Sequence, residues 1–128
     1  MTTQIDENLT ADRAEIAGEM LRLLGDPSRL RIVWVLLHGE HSVNELADHV
    51  GMNAAAVSQH LAKLRLARLV CSRRDGNRIF YLVENAHVRR LVEEAISHVE
   101  HVVLDLPDHE TPEPSPSAQG EIGRGESA

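Results

Sequence analysis

The sequence predicts a mainly α-helical fold that carries one β-hairpin. Only 2% of the 128 residues are aromatic, so aliphatic side chains must fill the interior. Apolar residues recur at helical spacing in several segments. An Asp-Gly pair separates two β-prone segments, residues 69–73 and 78–83, which is a strong hairpin signal. The length is sufficient for one domain with a single core.

Two helices are expected before residue 40. An apolar stripe at helical spacing ends at Gly25, which closes the first helix. Asp26 is then an N-cap followed by proline at the first helical position. The dense apolar run over residues 30–37 predicts a central helix, buried on most sides, that ends near Gly39.

The next two helices form a helix-turn-helix. Ser42 and Glu45 have the spacing of a capping box, and the short helix that they begin ends at Gly51. Asn53 caps the following helix, predicted over residues 54 to about 68, which would lie in a major groove of DNA. Its inward residues are expected to be Val57, Leu61 and Leu64. Its outward residues are expected to be Ser58, Gln59, Ala62 and Lys63.

The hairpin and the last helix complete a winged helix-turn-helix. The hairpin turn is predicted over residues 74–77, and arginines on both sides of it indicate a wing that straddles the DNA backbone. Asn85 caps the last helix, whose apolar stripe extends from Val88 to Val103. Because a long stripe on a terminal helix needs a partner, the sequence predicts dimerisation through these terminal helices with twofold symmetry.

The charge distribution favours a nucleic-acid partner although the net charge is −7. Between Ala56 and Phe80 there are six basic residues and one acidic residue, a local charge of +5. From Asp105 onward the charge is −5. Since a phosphate backbone responds to the local field, the basic segment predicts binding to double-stranded operator DNA. The candidate DNA-binding residues are Asn53, Ala56, Ser58, Gln59, His60, Lys63, Arg65, Arg73, Arg74 and Arg78.

Two segments are expected to be disordered tails: residues 1–11, and the acidic segment 107–128, which is rich in Pro, Ser and Gly. The domain between them is predicted to span residues 12–106. The sequence has no membrane-spanning run and no signal-peptide pattern, so a cytoplasmic protein is expected. Cys71 is the sole cysteine, which excludes an internal disulfide. No catalytic arrangement is present, so an enzyme is not indicated.

Three stretches resemble the ArsR/SmtB family of metal-sensing repressors: residues 24–30 (LGDPSRL), residues 57–61 (VSQHL) and the Arg-Asp-Gly wing tip. The resemblance covers residues 12–110. It is strongest to the nickel and cobalt sensors of the family, mainly through residues 42–81 and the histidines that follow. It implies a homodimer that leaves its operator when metal binds.

Histidines on the last helix are the candidate metal ligands. His87 and His98 are eleven residues apart, about three turns, and share one helix edge with His101 nearby. Their separation of roughly 16 Å is too long for one ion to join them within a chain. If two such helices cross antiparallel, His87 of one protomer meets His98 and His101 of its partner, which predicts two intersubunit sites.

The family resemblance implies two alternative ligand sets. The common pattern matches Asn85, His87, His98 and His101, with an amide in place of the usual carboxylate. A second pattern matches His87, Glu100, His101 and His109. Because the helix before the recognition helix has no cysteine, thiolate sensing is not indicated. Imidazole and carboxylate ligands suit nickel and cobalt, which the resemblance favours, and also zinc.

Two other interpretations of the function remain open at this point. One is a regulator of the same fold that senses redox state through Cys71 or senses no ligand, although Cys71 is expected to be a small buried apolar residue. A metal-buffering protein would explain the histidines and leave the basic wing without a role. His60 is equally compatible with a phosphate contact and with packing.

Overall fold

The computed structural model describes residues 8–104, which contain five helices and one antiparallel hairpin. The mainly α-helical fold with a hairpin wing is therefore confirmed. Both predicted tails, apart from residues 8–11, lie outside the described residues, as does His109. The boundary of the first tail was predicted slightly too late, because the Thr10 hydroxyl accepts from the Arg13 N–H and caps α1, which begins at Ala11. The elements are α1 (Ala11–Leu24), α2 (Pro27–Leu36), α3 (Val43–Val50), α4 (Ala54–Leu66), β1 (Val70–Asp75), β2 (Arg78–Val83) and α5 (Ala86–Val102).

The chain divides into two compact units between Val92 and Glu93. The first contains α1 to α4, the hairpin and the start of α5, and it holds the buried core. The second contains the rest of α5 among the described residues. As predicted, α4 directs Val57, Leu61 and Leu64 inward. The most deeply buried side chains are Ile32, Val33, Leu46, Val57, Leu61, Leu64, Leu69, Val70 and Val92.

Helix α2 begins as predicted and ends slightly earlier than predicted. The Asp26 carboxylate accepts a hydrogen bond from the backbone N–H of Arg29 at 3.0 Å, and Pro27 occupies the first turn. The helix ends at Leu36, beyond which the N–H of His38 donates to the Val35 carbonyl at 3.0 Å and that of Gly39 to the Leu36 carbonyl at 3.3 Å, each three residues back. Such tightening is common at helix ends and stops the α-helix before Gly39.

The helix-turn-helix has the predicted caps. Ser42 and Glu45 form both bonds of the capping box, and Gly51 closes α3 in the left-handed conformation at φ 70°. Helix α4 was predicted to reach about residue 68 but ends at Leu66. Its end is set by Arg68, whose backbone is left-handed at φ 62° although it is not a glycine. This conformation lets the N–H of Leu69 reach the Leu64 carbonyl at 2.9 Å.

Replacing the cap of α3 is expected to weaken the fold. Ser42→Ala removes the hydroxyl that accepts from the Glu45 N–H, so the free energy of unfolding should fall by about 1 kcal/mol. Urea unfolding measures this as a lower midpoint with an unchanged slope. Ser97→Ala is the matched control, because Ser97 is exposed within α5 and should lose no stability. Equal losses in the two variants would contradict the capping role.

The hairpin turn is shorter than predicted. Asp75 pairs with Arg78, so the turn consists of Gly76 and Asn77 instead of four residues. Gly76 lies at φ 65°, which residues with a side chain rarely adopt and which two-residue hairpin turns require. The wing is also joined to the loop before α3, because His41 and Tyr81 exchange two backbone hydrogen bonds of 2.8 and 3.2 Å.

Helix α5 is capped by Asn85 and presents two kinds of apolar residue. Val88 and Val92 are buried in the first unit. Leu91, Val99, Val102 and, directly after the helix, Val103 are exposed in the single chain. None of the helices in residues 8–104 has both the length and the apolar character needed to span a membrane.

Candidate nucleic-acid interface and metal ligands

The outer face of α4 presents polar side chains to solvent. Ser58, Gln59, Lys63 and Arg65 are exposed, whereas the opposite face is in the core. Hydroxyl and amide groups suit base edges, and cationic groups suit phosphates. The core thus holds α4 with its hydrogen-bonding groups outward. The predicted outward residues of this helix are confirmed.

Two of the candidate DNA-binding residues serve the start of α4 itself. The Asn53 side-chain oxygen accepts the N–H of Ala56 at 2.8 Å, which leaves the amide NH₂ of Asn53 free to donate. Ala56 is partly buried and offers a methyl group beside that cap. Both lie at the N-terminal end of the helix, the end that contacts bases in helix-turn-helix complexes.

His60 is held by Arg29, a residue that the sequence analysis did not single out. The Arg29 Nη1 lies 3.3 Å from His60 Nδ1, and its Nε donates to the Leu23 carbonyl at 2.7 Å. Because a guanidinium group only donates, Nδ1 accepts and the ring proton lies on Nε2. His60 is therefore linked to the end of α1 through Arg29 and retains an N–H donor at Nε2.

The Asp26 carboxylate interacts with both the backbone and the charge of Arg29. The pKa of the Asp26 carboxyl is lowered, chiefly by the hydrogen bond from the Arg29 backbone N–H and further by the positive charge of Arg29. Asp26 therefore remains ionised and caps α2. Its bond to the Arg29 backbone N–H holds the first turn of α2, which carries the Arg29 side chain. The signal that could have found Arg29 is its place in the LGDPSRL stretch.

The arginines of the wing have unequal surroundings. Arg73 donates two hydrogen bonds to the Glu40 carboxylate, at 2.6 and 2.7 Å, and Arg78 lies 3.4 Å from the Glu45 carboxylate. Arg74 makes no ion pair with any residue of the described range, and its Nη1 lies 3.5 Å from the Gly76 carbonyl. Two of the three predicted phosphate ligands thus have a carboxylate partner in the free protein, which spacing along the chain did not indicate.

The carboxylates respond to these partners. The pKa of Glu40 is lowered mainly by the hydrogen bond from Arg73. The pKa of Glu45 is lowered mainly by the Ser42 backbone N–H and, to a smaller extent, by the charge of Arg78. Both carboxylates are therefore ionised at neutral pH, and they oppose the positive charges of Arg73 and Arg78 on the wing.

The candidate metal ligands on α5 are all exposed: His87, His98, Glu100 and His101. His98 and His101 are three residues apart on the helix, so their side chains are neighbours about 5–6 Å apart at Cβ. The Nδ1 of His87 lies 3.1 Å from Arg90 Nη2 and accepts from it. A ligand role for this nitrogen requires Arg90 to move aside.

The side-chain oxygen of Asn85 is already used. It accepts the N–H groups of His87 and Val88 at 2.9 and 3.1 Å, as the cap of α5. Within residues 8–104 of one chain, no three His, Cys, Asp or Glu side chains come together as a metal site. The imidazole and carboxylate donors on α5 nevertheless suit a nickel, cobalt or zinc ion if a second chain supplies part of the set. Cys71 lies half-buried in β1, opposite Leu82.

A helix-turn-helix with an exposed polar recognition helix, followed by a basic hairpin, defines a winged helix-turn-helix regulator. The sequence comparisons agree: residues 26–72 match the family model described as bacterial regulatory protein, arsR family. The chain is 50% identical over 101 residues to the HTH-type transcriptional regulator KmtR of Mycobacterium tuberculosis, which covers 79% of this chain and 78% of KmtR. This protein therefore belongs to the arsR family of bacterial regulatory proteins, and the resemblance inferred from its sequence is confirmed.

Two further relatives support the assignment. The HTH-type transcriptional regulator NmtR of M. tuberculosis is 40% identical over 100 residues, covering 78% of this chain and 83% of NmtR. The homodimeric winged helix-turn-helix DNA-binding domain of Mb0332 from Mycobacterium bovis superposes with a TM-score of 0.67 at 30% identity, covering 80% of this chain and 94% of that domain. These relatives are regulators and not enzymes, which agrees with the sequence analysis.

Proposed function

We propose that this protein is a homodimeric repressor that binds operator DNA and releases it when a divalent transition metal binds to α5. Nickel or cobalt is the favoured effector and zinc is the alternative. The observation that carries the DNA-binding part is the division of α4 into a fully buried face and an exposed face of hydrogen-bonding and cationic side chains.

On DNA, α4 would enter the major groove. Ser58 and Gln59 would face base edges, with the Nε2 donor of His60 beside them, while Lys63 and Arg65 bind phosphates. The hairpin wing would lie along the adjacent backbone. A cytoplasmic location follows from this proposal, because the operator lies there.

The second copy of the chain is proposed to pack against α5. Leu91, Val99, Val102 and Val103 are exposed in the single chain, and burying such a stripe against its own copy removes apolar surface from water. The homodimeric state of the Mb0332 domain supports a dimer of this chain. Two recognition helices related by twofold symmetry would then meet half-sites one helical turn of DNA apart.

The metal site is proposed to join two protomers. His98 and His101 of one α5 would bind the ion together with His87 of the partner subunit. Glu100 and His109 would complete the ligand set for an ion that needs more ligands. A bound ion supplies directional bonds to imidazole and carboxylate donors. Because the ion would hold these residues together, it would fix one crossing geometry of the two α5 helices. In that geometry the recognition helices would no longer fit successive major grooves.

Selection of duplexes from a random pool, followed by fluorescence anisotropy, tests the DNA-binding part. We expect sites with twofold symmetry. Gln59→Ala should relax the preference at one base pair in each half-site by about 1–3 kcal/mol. Lys63→Ala is the matched control, because a phosphate contact should weaken binding to all sequences and reduce the salt dependence. Selection without any sequence preference, or identical effects of the two variants, would contradict the proposed roles.

Sensing through Cys71 is the second candidate. The partly accessible thiol in β1 favours it. It is separated from metal sensing by treating the DNA complex with an oxidant and, separately, with nickel. Release by oxidant alone, lost in Cys71→Ser, would support the thiol and contradict the metal.

A further inference from the structure

One face of the hairpin carries a cluster of alternating charges around one aromatic ring. The guanidinium carbons of Arg73 and Arg78 lie 4.9 and 4.8 Å from the centre of the Phe80 ring. Arg73 is the cross-strand partner of Phe80, and Arg78 is two residues from Phe80 on β2, so the three share one face of the hairpin. We call this cluster, with Glu40 and Glu45, the wing clasp.

The clasp joins the hairpin to the helix-turn-helix at two points. Glu40 lies in the loop before α3 and holds Arg73 through two parallel hydrogen bonds, a geometry more specific than a single surface ion pair. Glu45 uses one oxygen for the Ser42 backbone N–H at 2.9 Å and lies within 3.4 Å of Arg78 through the other. One carboxylate therefore serves the capping box of α3 and the wing together.

The same connection continues through the backbone. His41, next to Glu40, exchanges two hydrogen bonds with Tyr81, next to Phe80. The side-chain clasp and the backbone bridge therefore act on neighbouring residues of the hairpin, because Arg73 on β1 is paired with Phe80, next to Tyr81 on β2. Together they fix the direction in which the wing leaves the helix-turn-helix.

We propose that Arg73 is a positioning residue that orients the wing through Glu40, and that Arg74 is the wing arginine that binds phosphate. This inference rests on the proposed function, within which it assigns different roles to neighbouring arginines. A phosphate ligand at position 73 would have to leave a two-bond carboxylate partner, and Glu40 would repel the incoming phosphate. Arg74 carries no such partner within the described residues, and its side chain is exposed.

The alternative is that Glu40 merely masks Arg73 until DNA arrives. The two roles give opposite results for Glu40→Gln. If Glu40 masks a phosphate ligand, removing its charge makes DNA binding tighter. If Glu40 holds the wing in position, the loss of the ionic partner makes binding weaker, although the protein becomes less negative.

The test uses the full-length protein and a duplex that the protein has selected. Fluorescence anisotropy gives the affinity at salt concentrations between about 50 and 200 mM, over which affinity that depends on phosphate contacts falls steeply. Arg74→Ala should lower the salt slope by about 0.9 per contact, or roughly 1.8 for two protomers. Arg73→Ala should weaken binding with the slope unchanged. The exchanged pair, Arg73→Glu with Glu40→Arg, should restore most of the affinity that Arg73→Glu alone removes.

Three results would overturn the proposal: an equal fall in slope for Arg73→Ala and Arg74→Ala, no rescue by the exchanged pair, or tighter binding by Glu40→Gln. Amide hydrogen exchange supplies a readout without DNA. Glu40→Gln should speed exchange of the His41 and Tyr81 amides by roughly two- to fivefold, and Arg74→Ala should leave it unchanged. Unchanged amide exchange in Glu40→Gln overturns the clasp whether or not the wild-type protein binds DNA. Failure of the wild-type protein to bind DNA would by itself contradict only the proposed function.

Discussion

Replacing His87 and His101 with alanine is expected to abolish metal-induced release of DNA while DNA binding by the metal-free protein stays near that of wild type. Both side chains are exposed on α5, so their loss leaves the core intact. In wild type, coupling of about 1–3 kcal/mol would weaken operator binding roughly 5- to 150-fold when metal is bound. In the double variant this factor should approach one for nickel, cobalt and zinc.

Linkage provides a second check on this prediction. The factor by which metal weakens DNA binding must equal the factor by which DNA weakens metal binding, so calorimetric titration of metal into free and DNA-bound protein should give the same number. His38→Ala is the control, because His38 is also exposed but lies at the end of α2, where its ring bonds to the Trp34 carbonyl. A double variant that still dissociates from DNA on adding metal would rule out this site.

Leu61→Ala is expected to lower the free energy of unfolding by about 2–5 kcal/mol. Leu61 is fully buried, at 0% exposure, and its loss leaves a cavity between α4 and the rest of the core. A total stability of about 5–15 kcal/mol is typical of a domain, so this change should also reduce DNA binding at elevated temperature. Leu66→Ala is the matched control on the same helix, because Leu66 is 86% exposed and should change stability by less than about 0.5 kcal/mol.

Urea unfolding of the two leucine variants measures the difference directly. Similar midpoints for Leu61→Ala and Leu66→Ala would contradict the assignment of the buried face of α4, and with it the direction in which Ser58 and Gln59 point.

The starts of α2 to α5 could be predicted from the sequence because each depends on a side chain that bonds to a backbone N–H within three residues. The caps at Asp26, Ser42, Asn53 and Asn85 all follow this local rule. The end of α4 could not be predicted in the same way. Arg68 occupies a left-handed position that glycine usually fills, and nothing in an arginine indicates it.

The exposed polar face of α4 and the basic wing could also be predicted, because burial follows helical periodicity and charge follows composition. The partners of those residues could not. Glu40 and Arg73 are 33 residues apart, and Arg29 and His60 are 31 apart, so their contacts depend on how separate elements pack. The metal ligands follow from spacing on one helix, whereas a site shared by two chains depends on how two helices cross.

The most direct test of metal-controlled DNA binding is fluorescence anisotropy of a labelled duplex, selected by the wild-type protein, titrated in turn with nickel, cobalt and zinc. We expect the metal-free protein to hold the duplex and at least one of the three metals to lower the anisotropy to that of free DNA, with recovery on adding a chelator. An anisotropy that stays constant through all three titrations, while calorimetry shows metal bound, would contradict the proposed function.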